Sequence, residues 1–198
     1  MSVSTPPTDH HTIAEPRYSM WGPVQTCQTI APGIFQVTTA SHGGFILSAE
    51  RIAEMATALQ KPDGNCFEED CAWCLVVLSF QAYFSQTLFE EAVRTCKNWF
   101  PTEWETWTGT ILDPSESREK REAHFYQHHR HHLIVTTAWG DWHPQVPAGY
   151  VGVCAKLGGR AAQPISPDHY FLVPVNEYRA TTPFIVDPTR HPSMQPIR

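Results

Sequence analysis

The alternation of apolar and polar residues predicts strands towards both ends of the chain and helices in its middle. Short β-branched runs bounded by Gly and Pro are typical of strands, and they occur at 24–30, 33–39, 45–47, 133–138, 149–155, 170–175 and 184–186. Apolar residues at helical spacing predict helices near 48–61, 71–84, 88–100 and 115–127, with a helical turn at 103–109. The run at 71–84 is apolar on all sides, which indicates a central buried helix.

This order of elements predicts an α+β fold. We expect the N-terminal hairpin and the C-terminal strands to form one curved antiparallel sheet, packed around the central helix at about 71–84 and the further helices. A length of 198 residues with 41% hydrophobic content fits a single domain over residues 19–198. Residues 1–18 are polar and lack apolar periodicity, which predicts a flexible leader.

Charge and cysteine content narrow the classes of function. A net charge of -6 disfavours a phosphate-binding surface, so we expect no direct nucleic-acid binding. The sequence has no apolar run long enough for a bilayer and no apolar signal core at its start, which predicts a cytoplasmic protein without membrane contact. The six cysteines of such a protein are expected to be reduced and mostly buried.

The first candidate for chemistry is Cys71. Three carboxylates, Glu68, Glu69 and Asp70, run directly into this cysteine at the predicted start of the central helix. The N-terminus of a helix lowers a thiol pKa, whereas neighbouring carboxylates raise it and are also ordinary helix starters. The segment therefore fits either a reactive cysteine or a plain helix start.

A papain-like site would pair Cys71 with a histidine on an adjacent sheet. His42 would give a permuted order of nucleophile and base, although a structural role in a tight turn with Gly43 and Gly44 is the alternative. His143 or His169 would instead follow the cysteine in the chain, as the histidine does in papain-like enzymes, with Asp187 or Asn176 to orient the ring.

Two clusters raise the question of a metal or a redox pair. Cys71 and Cys74 form a C-x-x-C motif after Cys66. A zinc site would need a fourth ligand besides these three cysteines. A thioredoxin-like redox pair would need a strand before the motif, and the pattern of residues 63–70 does not predict one.

A histidine cluster contains pairs at i, i+4, which suit a metal only if the helix extends that far. Its members are His124, His128, His129, His131 and His132. We interpret them as solvated histidines at a helix end, and expect neither metal nor cofactor.

Tryptophans and carboxylates form the candidate binding surface. The chain has more tryptophan than one small core needs, and Trp is enriched in the hot spots of protein interfaces, although it also serves in cores. The candidate residues are Trp99, Trp104, Trp107, Trp139 and Trp142, with Glu68, Glu69 and Asp70.

Three motifs carry a resemblance to a known family. They are S-H-G-G-F-I-L-S-A-E-R at 41–51, F-E-E-D-C-A-W at 67–73 and Y-F-L-V-P at 170–174. Through them the stretch from about Trp21 to Pro192 is similar to an uncharacterised proteobacterial domain family found on plasmids, integrative elements and phages. The resemblance implies a genomic habitat and assigns no activity to any residue. Small acidic proteins of such elements are often accessory factors that blunt host defence.

Two functions from different classes follow. The favoured hypothesis is a non-enzymatic, mobile-element accessory protein of anti-CRISPR or antirestriction type, which inhibits a host defence complex by binding one of its protein subunits. The alternative is a cysteine-dependent hydrolase or transferase with a papain-like site, which uses Cys71 with His42, His143 or His169. A regulator of plasmid maintenance is a third hypothesis. The partner, the oligomeric state and the reactivity of Cys71 are not fixed by the sequence.

Overall fold

A computed structural model of the chain describes residues 13–62, 64–161, 166–178 and 183–197. Helices and antiparallel sheets alternate through them, so the predicted α+β class is confirmed. The chain divides into two compact units, Met1–Lys120 and Arg121–Arg198. Whether residues 19–198 form one domain stays a prediction.

The strands of the first unit form two sheets. The strands are β1 (Tyr18–Ser19), β2 (Gly22–Pro23), β3 (Thr26–Ala31), β4 (Ile34–Thr38), β5 (Gly43–Leu47) and β6 (Cys66–Glu68). The first two pair with each other, and β3 to β6 pair in chain order as a four-stranded antiparallel sheet. The predicted hairpin and third strand are confirmed, whereas β6 was not predicted and lies directly before the C-x-x-C motif.

Side chains are buried on both faces of the four-stranded sheet. Alternation along β4 sends Ile34 to one face and Phe35 to the other, and both are buried. The larger apolar cluster, here called the main core, lies on the Ile34 face and includes residues of the helices that follow. The smaller cluster on the Phe35 face is completed by Ile13 and Trp21.

The predicted leader covers residues 1–18, of which residues 1–12 lie outside the described part of the chain. The remaining residues already contact the sheet, because Ile13 packs on the smaller cluster and Glu15 accepts a hydrogen bond from Thr29 Oγ1 at 3.0 Å. The last residues of the predicted leader therefore belong to the folded unit.

Five α-helices lie between Ala49 and His128 in the described part of the chain. They are α1 (Ala49–Glu54), α2 (Trp73–Ser79), α3 (Gln86–Trp99), α4 (Pro101–Thr108) and α5 (Arg118–His128). Ser48 caps α1 as its sequence indicates, since its Oγ accepts the Arg51 N–H at 3.3 Å. Helix α5 contains the division between the two units.

Helix α2 is buried but shorter than the predicted 71–84. It begins at Trp73 because residues 69–72 form a turn, so the carboxylates Glu69 and Asp70 do not start the helix and Glu68 ends β6. At its other end the Ser79 hydroxyl donates to the Leu75 carbonyl, a side-chain bond that competes with the helical pattern. Five consecutive residues of α2, from Cys74 to Leu78, are buried in the main core, which confirms its central position.

The second unit contains its own sheet. Its elements are β7 (Leu133–Trp139), β8 (Tyr150–Leu157), β9 (His169–Pro174), α6 (Val175–Tyr178) and β10 (Ile185–Val186), with the strands in the order β10-β7-β8-β9. The single curved sheet that joins N-terminal and C-terminal strands is therefore wrong. Each set of strands pairs within itself, because short connections bring neighbouring strands together at lower cost than a connection across the helical middle.

None of the helices in the described residues combines the length and the apolar character needed to cross a bilayer.

Candidate functional site

Cys71 lies in a turn, two residues before α2, and is partly buried. Ala72 occupies the N-cap position, and the carbonyl of Cys71 accepts the N–H of Cys74 at 3.3 Å. Partial burial raises the pKa of the Cys71 thiol, and the negative charges of Glu68 and Asp70 raise it further. The thiol is therefore predominantly protonated at neutral pH, which is the opposite of what an activated nucleophile requires.

His42 lies next to Glu68 because β5 and β6 are paired. The register places Gly44 opposite Glu68, and the His42 Nδ1 atom is 3.2 Å from the Glu68 Oε1 atom. Among the hydrogen bonds of the described residues, none joins His42 to Cys71. The structure thus brings the histidine to a carboxylate rather than to the thiol, and the pairing of His42 with Cys71 as a catalytic dyad stays a prediction.

The other candidate partners of Cys71 all lie in the second unit. The ring of His143 accepts the Gln145 N–H at its Nδ1 atom, at 3.3 Å. Asp187 accepts hydrogen bonds from the hydroxyl and the backbone N–H of Thr189, and these bonds hold its pKa below the ordinary value. Its nearest recorded polar partners are therefore local. His169 and Asn176 lie in β9 and α6.

The cysteines other than Cys71 behave as apolar residues or weak donors. Cys74 and Cys96 are fully buried in the main core, as their interpretation as small hydrophobic residues predicts. A hydrogen bond with Cys96 and burial together raise the pKa of the Cys74 thiol strongly. All six cysteines are free. Cys74 is therefore poorly suited to the attack on a disulfide that a redox pair performs.

Trp99 is the last residue of α3, and Trp104 and Trp107 belong to α4; we call these three tryptophans the aromatic surface. Pro101 begins α4 immediately after the C-cap of α3, so the two helices meet without a loop. Trp99 and Trp107 remain 39% and 37% exposed, and the Trp104 ring contacts Trp107 edge-on at 5.7 Å. Trp104 also packs on the main core, which anchors the surface.

Cationic side chains cover the rings of the aromatic surface. The Arg118 guanidinium lies 4.4 Å from the centre of the Trp99 ring, and the Lys97 ammonium lies 5.4 Å from that of Trp104. Such cation–π contacts restrict the rotamers of both partners. Arg118 is distant from Trp99 in sequence, so the spacing of residues gives no signal for this contact.

An ion-paired segment holds the same region. Glu105 accepts hydrogen bonds from Lys120 and from the Leu112 N–H, and Lys97 pairs with Glu116 at 3.2 Å. These contacts tie residues 112–120 to α3 and α4. The aromatic surface is thus supported on both sides and needs little ordering when a partner binds.

The remaining candidate binding residues lie on other elements. Trp139 and Trp142 lie in the second unit, where Trp139 stacks on Tyr170 at 6.4 Å and Trp142 is 74% exposed. The acidic residues Glu68, Glu69 and Asp70 lie at the end of β6 and in the following turn. Their designation as binding residues stays a prediction.

Histidines dominate the end of α5. The helix ends at His128, so His124 and His128 share one helical face, whereas His132 lies beyond the end. A cavity of ≈ 390 Å³ is lined by His124, Gln127, His128, Arg130 and His131.

Burial and the neighbouring His128 and His132 lower the pKa of His129. In the part of the chain that is described, no group of three or more His, Cys, Asp or Glu side chains has a metal-binding arrangement.

A buried histidine near the C-terminus was not expected from the sequence. His191 is 2% exposed, its Nδ1 atom accepts the Asp187 N–H at 3.0 Å, and its Nε2 atom lies 3.2 Å from the Glu177 carboxylate. Arg190 pairs with the same carboxylate at 3.0 Å. These contacts connect the C-terminal segment to α6. No local sequence motif predicts them.

The fold and the geometry above define an α+β protein with a supported aromatic surface and a protonated candidate cysteine. A family model for a domain of unknown function, DUF7007, matches residues 14–130, which is more than half of the chain. The chain belongs to this family. The match covers the described residues of the first unit from residue 14 onwards and the whole of α5. Comparison with curated proteins and with solved structures gives no significant match.

Proposed function

We propose that the protein is a non-enzymatic accessory factor that binds a protein subunit of a host defence complex and so inhibits it. The complex is of CRISPR or restriction type, and the site of action is the cytoplasm. The observation that carries the proposal is the aromatic surface, in which Trp99 and Trp107 are partly exposed. Arg118 covers the Trp99 ring, and Trp104, which contacts Trp107, packs on the main core.

The composition and rigidity of this surface support a protein partner. Trp and Arg are the residue types most enriched in interface hot spots, and here Arg118 and Trp99 are already in contact. Preorganised side chains lose less entropy on binding than mobile ones, which favours affinity. The net charge of -6 favours a protein partner over nucleic acid, because phosphate binding needs an excess of Lys and Arg.

The state of Cys71 supports binding over catalysis. Its raised pKa and the pairing of His42 with Glu68 leave the thiol without the activation that nucleophilic catalysis needs. The choice of a defence complex rests on the resemblance of motifs such as the segment 67–73 to a family of plasmids, integrative elements and phages. Small acidic proteins of these elements commonly protect them from host defence.

The experiment is affinity capture of the tagged chain from a lysate that contains CRISPR and restriction complexes. The unaltered chain is compared with the double variant Trp99→Ala and Trp107→Ala, with Cys71→Ala, and with Tyr18→Ala as a control. Tyr18 is also exposed, at 74%, but lies in β1 outside the aromatic surface. Circular dichroism checks that each variant is folded.

We expect stoichiometric recovery of a defence subunit with the unaltered chain, Cys71→Ala and Tyr18→Ala. The double tryptophan variant should bind about thirtyfold more weakly or worse, since truncation of a hot spot costs ~2 kcal/mol or more. Equal recovery by all variants would remove the aromatic surface from the proposal. Recovery of no defence subunit by any folded variant would overturn the proposed partner.

A further inference from the structure

We propose that the histidine face at the end of α5 binds a borderline divalent metal ion, with Cu²⁺ preferred, through His124 and His128. This inference concerns the second unit and is independent of the aromatic surface. It starts from the observation that α5 extends to His128, so the two imidazoles are one helical turn apart on the same face.

The two rings are close enough for a shared ion. Their centres are 6.2 Å apart and their planes are inclined by 11°. Both residues are exposed, so rotation about their side-chain torsions can bring one nitrogen of each ring within bonding distance of the same ion. Imidazole is a preferred ligand of copper, nickel and zinc, and a pair at i, i+4 on a helix presents two such ligands.

The cavity leaves space for the rest of the coordination sphere. It measures ≈ 390 Å³, and its lining contains both histidines and the Gln127 amide. Its lining residues include no carboxylate, so the remaining ligands are water molecules. His131 also lines the cavity, but its Nε2 atom accepts a hydrogen bond from Arg130 at 3.0 Å. That bond leaves its Nδ1 atom available, but no group of three or more His, Cys, Asp or Glu side chains in the described residues has a metal-binding arrangement, so we infer two protein ligands.

The number of protein ligands determines the expected affinity and metal preference of the site. A site with only two imidazoles is open and weaker than a four-ligand structural zinc site, and the protein does not depend on it for folding. Without a rigid geometry to select the ion, affinity follows the intrinsic order of the divalent metals, so Cu²⁺ binds most tightly.

The test is calorimetric titration of the full chain with Cu²⁺, supported by electron paramagnetic resonance of the bound ion. The starting variant carries His10→Gln and His11→Gln, which removes the adjacent histidine pair at the start of the sequence. On this background the test substitutions are His124→Gln and His128→Gln. The controls are His132→Gln, which has the same four-residue spacing from His128 but lies beyond the helix, and His169→Gln in β9.

We expect one Cu²⁺ per chain, with the spectral splitting of two nitrogen ligands. Either test substitution should weaken binding by at least about tenfold because one imidazole remains, and both controls should bind as the background does. If no substitution changes the titration, or if His132→Gln weakens binding as much as His124→Gln, the proposal is wrong. A His131→Gln variant that loses binding to the same degree would replace the two-histidine site by a three-histidine one and contradict the inference.

Discussion

Cys71 shows how burial and neighbouring charges change the chemistry that a motif implies. Its sequence context fits a nucleophile at a helix start, but the structure places the thiol in a turn, partly buried, with Glu68 and Asp70 close enough to raise its pKa. A thiol of this kind reacts slowly at neutral pH because only the thiolate attacks electrophiles.

The first prediction concerns the alkylation rate of Cys71. Iodoacetamide should modify it more slowly than a free cysteine peptide at neutral pH, and Asp70→Asn should raise the rate, because removal of a negative charge lowers the thiol pKa. Peptide mass spectrometry over a pH series measures the rate at this cysteine alone. A rate at neutral pH above that of the free peptide would contradict the account and favour the hydrolase hypothesis.

Two adjacent glycines give a second test at the residue scale. Gly44 has a φ of +146°, and a Cβ atom built on it would be 2.1 Å from the backbone oxygen of Phe67. A Cβ on Gly43 would instead be 2.1 Å from the carboxylate of Glu69, which is the movable end of a side chain. The interpretation of both glycines as part of a tight turn is wrong, because both belong to β5, and the close approach of β6 requires a glycine at position 44.

We therefore predict that Gly44→Ala destabilises the protein far more than Gly43→Ala. The unfavourable backbone conformation alone costs about 2 kcal/mol, and displacement of the β6 backbone adds to it. Urea unfolding followed by circular dichroism gives the free energy of unfolding of each variant. Equal losses for the two variants would show that the close contact between β5 and β6 is absent.

The elements themselves were predictable to the extent that their signals were local. Ser48 as a cap, Pro101 after α3 and the apolar run in α2 all act within a few residues, and the structure contains the corresponding helices. Strand β6 was missed because it has only three residues and a mixed pattern. The pairing of the N-terminal and C-terminal strands into separate sheets was also missed, since pairing depends on contacts that no local pattern encodes.

The candidate site was less predictable than the fold for the same reason. The tryptophans were identifiable by residue type, but the arginine at 118 that covers Trp99 is far along the chain. Likewise, the pairing of His42 with Glu68 follows from the register of β5 and β6. Contacts of this kind depend on the tertiary fold and not on spacing.

The third prediction concerns the segment that supports α4. Hydrogen bonds from Lys120 and the Leu112 N–H hold the pKa of Glu105 below its ordinary value of 4.5. When the pKa of a carboxylate is lower in the folded than in the unfolded protein, the ionised group stabilises the folded state at pH values above the unfolded pKa. This stabilisation is lost as the pH falls through the folded pKa. The free energy of unfolding should therefore decrease as the pH falls below about 4.5, and Glu105→Gln should flatten that decrease.

The control for this prediction is Glu103→Gln in the same helix, because Glu103 has no recorded hydrogen bond or ion pair with the described residues. Urea unfolding at a series of pH values compares the two variants with the unaltered chain. If Glu105→Gln and Glu103→Gln give identical pH profiles, the ion-paired support of α4 does not contribute to stability.

At the scale of the whole molecule, we assign different roles to two regions of the chain. The family match begins at residue 14 and covers the first unit from there on, together with its aromatic surface, and it ends at residue 130, within the histidine cluster. The features that we assign to binding a defence subunit thus belong to the family domain. The second unit contributes its own sheet and the whole of the proposed metal site.

The most direct test of the central claim is the plating efficiency of a phage on a host whose CRISPR or restriction system targets it. The host expresses the unaltered chain, Cys71→Ala, or the double variant of Trp99 and Trp107, at matched levels. The account predicts that the unaltered chain and Cys71→Ala restore plating and that the tryptophan variant does not. Loss of protection with Cys71→Ala but not with the tryptophan variant would contradict it, as would a lack of protection by the unaltered chain against every system tested.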